Sequence, residues 1–247
     1  MSPLLVPDID RIAELYNHIE PMKLSTTYIE NRDQWILANC TDQKVLHIGC
    51  TDWPLTESRL KEGRLLHGKL ASVAGGLVGV DIDRLGLDAL SNLMPDHQFV
   101  CCPAEKLRDE DSVNKHDWDV ILAADVIEHI SDLGSALASF AALMSPDSKH
   151  LLTTPSAFSA KRFFAAALFG VEHVHPDHCY YFSLSTLKQN LLRVGMQVDS
   201  ASMFMWKNPS MINRTCDFAM HPVNLVTGGR LADEIAISAT LAPNVTP

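Results

Sequence analysis

KVLHIGCTDWP, residues 44–54, sets a short apolar run against a glycine and a polar turn, the form of a first strand feeding a nucleotide-cofactor loop. A dinucleotide loop needs G-x-G-x-x-G, because several backbone positions must approach a pyrophosphate and a helix must start there. Only Gly49 survives of that pattern. A cofactor without phosphates asks the turn for one close backbone approach. The missing glycines count against a nicotinamide-dependent oxidoreductase on the same ground.

Outward from this turn, short apolar runs at 76–82, 98–102, 119–123 and 150–154 alternate with amphipathic stretches at 60–73, 85–93 and 134–143. That rhythm predicts an α/β fold with a doubly wound, parallel sheet covered on both faces. Residues 1–43 read as a helical flank or lid, with Ile9, Ile12, Leu15 and Tyr16 on one face and a second helical run at 28–37. Residues 44–247 read as one core, broken at 155–182 by an aromatic, histidine-rich insertion over the site. After it come a helix at 185–194 opened by a serine and closed by Gly195, and a strand at 196–206. An irregular connection holding NPSMINRTC and HPVNLVTGG then leads to a last strand in EIAISATLA.

The chain has 247 residues, 47% of them hydrophobic and 20% charged, enough for one sizeable core. Its net charge of −10 weighs against nucleic acid and anionic membrane surfaces and favours a small-molecule partner. No apolar run reaches the roughly eighteen residues of a bilayer span, and MSPLLVPDID lacks the makings of a signal peptide. A soluble, cytoplasmic protein is expected, and a homodimer is compatible with everything in the sequence. Six cysteines without a CxxC pair read as reduced apolar fillers.

Two acidic positions carry chemistry. Asp81 closes the strand GLVGVDID about thirty residues after the loop, where a carboxylate takes both hydroxyls of a ribose; the competing reading is a helix cap, which Asp83 serves equally well. In DVIEH, Asp125, Glu128 and His129 stand at i, i+3 and i+4, so a helical turn would put them on one face. Such a face holds a divalent cation (Mg²⁺, Mn²⁺, Zn²⁺ or Fe²⁺), or simply caps and orients the next helix. In HVHPDHCYYFS, His173, His175 and His178 offer a general base or a further ligand, with Asp177 to orient one of them, or else close the loop by hydrogen bonds. His178 is the first choice. Phe158, Phe163, Phe164, Tyr180 and Tyr181 either line an acceptor pocket or pack as core.

VLHIGC, GVDID, FVCCPAEKL, DWDVILAADVIEHI and LLTTPS, in this order and with these gaps, resemble the class I S-adenosylmethionine-dependent methyltransferases, in particular small-molecule O-methyltransferases similar to those of the ubiquinone pathway. The resemblance implies a Rossmann-like, seven-stranded, mostly parallel sheet with an antiparallel last strand. It puts Gly49 and its neighbours His47 and Cys50 against the methionine part of the cofactor, Asp81 on the ribose, Ile82 on the adenine, Ala104 and Glu105 at the adenine edge, and Ala124 and Asp125 beside the methyl donor. It further implies a divalent metal, Mg²⁺ or another, on Asp125, Glu128, His129 and His178, and a catalytic role for His178 and His129. His47 replaces the family's usual acidic residue, Thr51 and Trp53 its loop glycines, and Pro103 its aspartate beside the adenine. The implied activity is methyl transfer to a hydroxyl of a small molecule, a sugar or specialised metabolite. An N- or C-methyltransferase and a non-catalytic binder of the same cofactor are the alternatives.

Overall fold

The computed structural model describes residues 25–114, 117–172, 174–206 and 211–243. The expected face of Ile9, Ile12, Leu15 and Tyr16, and His173, lie outside them. The strands are β1 (Thr27–Tyr28), β2 (Lys44–Ile48), β3 (Gly76–Asp81), β4 (Gln98–Cys101), β5 (Trp118–Ala124), β6 (Met144–Pro155), β7 (Met196–Phe204) and β8 (Glu234–Leu241). They form one sheet in the order β1-β7-β8-β6-β5-β2-β3-β4. All neighbours are parallel except β8, which runs antiparallel to both β6 and β7. Among the described residues the expected seven strands are eight, because the two residues of β1 pair with β7 at the sheet edge.

The helices are α1 (Arg32–Cys40), α2 (Thr56–Lys61), α3 (Leu66–Leu70), α4 (Arg84–Leu93), α5 (Asp111–Asn114), α6 (Leu133–Ala142), α7 (Ala160–Phe169), α8 (Leu184–Arg193) and α9 (Met211–Thr227). Two expectations are corrected here. The amphipathic run at 60–73 splits into α2 and α3, because Gly63 takes φ 68° between them. The connection expected to be irregular holds α9, whose Pro222 removes one backbone donor without ending the helix. The serine that opens α8 is Ser183, one residue before the helix, in a reciprocal capping box with Thr186.

Val45, Leu46, Val80, Ile121, Leu122 and Leu151 are buried on the central strands, which read as continuous apolar runs because both sheet faces are covered. Ile36 and Cys40 seal one face from α1, with Val45, Val120, Leu122 and Leu151. Leu133, Leu137 and Phe140 of α6 and Leu187 and Leu191 of α8 join the main core cluster.

Residues 156–182 leave the sheet and return to it. Ser156 bridges Phe182, and the Ala157 amide donates to the Phe182 carbonyl at 2.8 Å. The insertion is fastened by Asp233, nearly buried, which accepts from Ser159 Oγ (2.7 Å), Lys161 Nζ (2.9 Å) and the Trp206 amide (3.3 Å). Removing a partly buried charged acceptor with three donors costs roughly 2–4 kcal/mol. Asp233→Ala is expected to lower the melting temperature by roughly 5–15 °C and to open the loop at 157–182 to limited proteolysis.

Candidate functional site

From β2 the chain winds outward through β3 and β4, then crosses back to β5 on the other side of β2. The reversal leaves a crevice beyond the carboxyl ends of β2 and β5, where ligands bind in open α/β sheets. Gly49 ends β2 at φ 74°, and a Cβ there would overlap Val126 Cγ2 from the turn after β5. The glycine is needed both for its left-handed backbone and for the close approach of these two turns.

Asp81 ties the neighbouring turns together. Its Oδ2 accepts from the Thr51 amide and hydroxyl, both at 2.9 Å, and its Oδ1 from the Asp83 amide at 3.0 Å. Oδ1 retains lone-pair capacity for a ligand hydroxyl, while Oδ2 already accepts two hydrogen bonds. The helix cap is Asp83, which accepts from the Gly86 amide at 3.0 Å. Ile82 is 72% exposed beside this edge, and Cys101 Sγ lies 3.9 Å from its carbonyl. Ala104 is nearly buried in a 3₁₀ turn, while Glu105 is half-buried and its carbonyl accepts from Ser139 Oγ at 2.7 Å.

Two side chains expected at the cofactor turn away from it. Cys50 is fully buried with Leu65, Leu87 and Leu90, leaving only its backbone on the turn. His47 is equally buried, its ring stacked on His67 of α3 with Nδ1 to Nδ1 at 3.1 Å. A side chain on β2 points into one covered face of the sheet, and here that face offers an imidazole. Burial, then the neighbouring His67, holds His47 well below the ordinary histidine range; burial and His97 push His67 down to about 3.

The DVIEH side chains do not share one face. Asp125 has φ 56°, its amide donates to the Thr153 carbonyl at 3.0 Å, and its Oδ1 accepts from Thr153 Oγ1 at 2.7 Å. Its Oδ2 pairs with the Arg32 guanidinium. Glu128 turns inward, 1% exposed, and accepts from Thr154 Oγ1 at 3.0 Å. Burial, then Asp125, raises its carboxyl to about 8. His129 is exposed and meets His178 edge to face, ring centroids 4.5 Å apart. The turn is a 3₁₀ helix of three residues, too short and too tight to align i, i+3 and i+4 as an α-helix does.

A different triad results. The ring nitrogens of His129, His175 and His178 lie within 4.8 Å of one another, the one ligand-like group among the described residues. The expected set is corrected accordingly: His129 and His178 are in it, Asp125 and Glu128 are outside it, and His175 joins. Burial, followed by the two neighbouring imidazoles, lowers His178 to about 4, and burial then His175 lowers His129. His178 also lines a cavity of about 250 Å³ with Glu172, Val174, Cys179, Tyr180 and Tyr181. Phe163 and Phe164, expected in the pocket or the core, are exposed on α7, and Phe158 is exposed before it.

Sequence reasoning missed the buried polar group behind this pocket. Arg162 donates to the carbonyls of Ser156 (3.2 Å) and Asp233 (2.8 Å) and to Glu234 Oε1 (2.9 Å), with its guanidinium 5.1 Å from the Tyr181 ring centre. Burial, then Asp125, raises the Glu234 carboxyl well above its ordinary value. The one signal was the pair Asp233 and Glu234 heading an otherwise apolar strand.

A family model described as a methyltransferase domain matches residues 68–201, just over half of the chain. No curated protein matches significantly. Among solved structures, an S-adenosylmethionine-dependent methyltransferase from Archaeoglobus fulgidus is 18% identical, with 84% of this chain and 90% of that one covered and a TM-score of 0.53. A TehB-like S-adenosylmethionine-dependent methyltransferase from Corynebacterium glutamicum is 16% identical, covering 94% and 95%, TM-score 0.52. Magnesium protoporphyrin IX methyltransferase from Synechocystis, with bound S-adenosylhomocysteine, is 12% identical, covering 95% and 94%, TM-score 0.55. These neighbours share the fold, and no described helix is long and apolar enough to cross a membrane. The match of sequence over residues 68–201, on a sheet wound to place its crevice at Gly49 and Asp125, makes this chain a member of the methyltransferase-domain family, a class I S-adenosylmethionine-dependent methyltransferase.

Proposed function

We propose that the enzyme transfers the methyl group of S-adenosylmethionine to a hydroxyl of a small molecule seated in the cavity beside His178. The observation that carries this reading is the cluster of His129 and His178 just past Asp125, where an acceptor can meet both an imidazole and the methyl donor. A sulfonium is already activated, whereas a neutral hydroxyl is a poor nucleophile and gains most from a base within reach. A neutral amine needs no such help before attack. His178 takes the acceptor proton, Tyr181 and Arg162 hold the pocket wall against it, and the cofactor lies over Gly49 with its ribose on Asp81.

The reading includes cation assistance, with a changed donor set. Three imidazoles fit a borderline cation such as Zn²⁺ better than Mg²⁺, which prefers oxygen. His129, His175 and His178 would hold it, the cation then replacing His178 as the group that activates the hydroxyl, while Asp125 and Glu128 remain committed to Arg32 and Thr154. Such a cation, when bound, acidifies a hydroxyl placed on it.

Methyl transfer from labelled S-adenosylmethionine to a panel of sugars, phenols and matched amines tests the reading. Hydroxyl acceptors should be turned over, and His178→Ala should lower kcat roughly 100-fold or more with the cofactor Kd unchanged. Turnover of the amines alone, or full activity in His178→Ala, overturns it. Activity that survives a strong chelator removes the cation from the proposal.

A further inference from the structure

We propose that the Arg32–Asp125 pair sets how strongly this enzyme prefers the sulfonium cofactor to its thioether product. The inference rests on the assignment of the crevice to S-adenosylmethionine and not on the hydroxyl acceptor. Chain topology delivers Arg32 to the crevice. β1 lies at the β7 edge of the sheet, α1 packs over β2, β5 and β6, and the residues between them cross the carboxyl ends of the strands. Arg32 heads α1 at the end of that crossing. Its guanidinium pairs with Asp125, donates to Asp33 Oδ1 at 3.0 Å, and lies 5.4 Å from the Trp206 ring centre just past β7. Asp33 is in turn held by Lys69 Nζ at 2.7 Å, so the guanidinium has a fixed seat.

Asp125 is fixed as well. Thr153 holds both its amide and its Oδ1, and its backbone is in the left-handed region. The carboxylate side chain keeps 23% of its surface exposed at the end of β5, opposite Gly49. A cofactor with its ribose at Asp81 and its methionine at Gly49 carries its sulfur past this point. The two forms of the cofactor differ there by one positive charge, present in S-adenosylmethionine and absent in S-adenosylhomocysteine.

A carboxylate at this place attracts the sulfonium and not the thioether, and a guanidinium on the same carboxylate tempers that attraction. The pair thus holds the substrate by charge and lets the neutral product go. Both charges are required for the balance. Asp125 alone would bind the sulfonium too well, and Arg32 alone would repel it.

Calorimetric Kd values for S-adenosylmethionine and S-adenosylhomocysteine, measured on the full chain and three variants, test this. In Arg32→Gln the preference for the sulfonium should rise at least fivefold, and in Asp125→Asn it should fall at least fivefold. Arg32→Lys, which keeps the charge, should stay within twofold of the parent. A purely structural loss would weaken both ligands together and leave their ratio unmoved, so parallel changes in the two variants overturn the proposal. If Arg32→Gln fails to fold, the direction in Asp125→Asn decides alone. Binding of neither ligand by the parent chain would instead remove the cofactor assignment, and the proposal with it.

Discussion

Gly49→Ala is expected to lower the melting temperature by roughly 5–15 °C and to abolish measurable binding of S-adenosylmethionine. Two costs add. Alanine at φ 74° pays roughly 1–2 kcal/mol for the left-handed backbone, and its methyl must displace the Val126 side chain for roughly 1–3 kcal/mol more. The protein carries its own control. Gly63, at φ 68°, faces open space, so Gly63→Ala should pay the backbone cost alone. Adding Val126→Ala to Gly49→Ala should return the packing part and none of the conformational part, a coupling that a double-mutant cycle resolves. Thermal unfolding of the parent, Gly49→Ala, Val126→Ala, the double variant and Gly63→Ala separates the two terms. A loss in Gly49→Ala no larger than that in Gly63→Ala would show that the turns can part freely.

Stability should peak near pH 6.5 and fall on both sides. His47, His67 and His150 are buried and neutral, with His67 near 3 and His150 near 4, both lowered chiefly by burial. Their folded values lie below the unfolded one, so their contribution is complete above about pH 6.5 and is lost as pH falls toward the folded values. By about pH 4.5, His67 and His150 each withdraw roughly 2–3 kcal/mol. Glu128 and Glu234 run the other way. Their carboxyls are raised, so their contribution is complete below the ordinary carboxylate range and is lost as pH climbs, toward about 8 for Glu128. Between about 4.5 and 6.5 the lowered imidazoles, these three with His129 and His178, outnumber the two raised carboxyls, and stability rises with pH; above that range the raised carboxyls dominate and it falls. Urea unfolding across pH 4–9 measures the curve. His150→Leu should flatten the acid limb by roughly 1.4 kcal/mol per pH unit, and an unchanged slope would mean that His150 is not neutral in the fold.

How legible the molecule was depended on how far apart its partners lie in the chain. The parallel core could be read because each strand announces itself in five or six residues, and the turn at Gly49 because a glycine between a strand and a polar run has few other uses. The cap at Asp83 was legible for the same local reason. Contacts across long separations were not. Nothing near Arg32 signals a carboxylate 93 residues later, and nothing near Arg162 signals Glu234, 72 residues on. His47 was visible as a departure from its family, yet its partner His67 is another strand-to-helix crossing away. DVIEH misled because spacing predicts a shared face only in an α-helix, and the backbone at Asp125 turns left-handed instead.

The place of β8 has a consequence for how the chain is made. β8 lies between β6 and β7 and pairs with His150–Pro155 of the first and with the second from end to end, although it is the last of the three to leave the ribosome. Until it arrives, residues His150–Pro155 of β6 present a bare edge, and β7 with the short β1 has no strand to join. An open edge of that length invites pairing with another chain. A nascent chain stalled before residue 234 is thus expected to hold a formed cofactor half beside an incomplete sheet, and to aggregate through β6 unless a chaperone covers it.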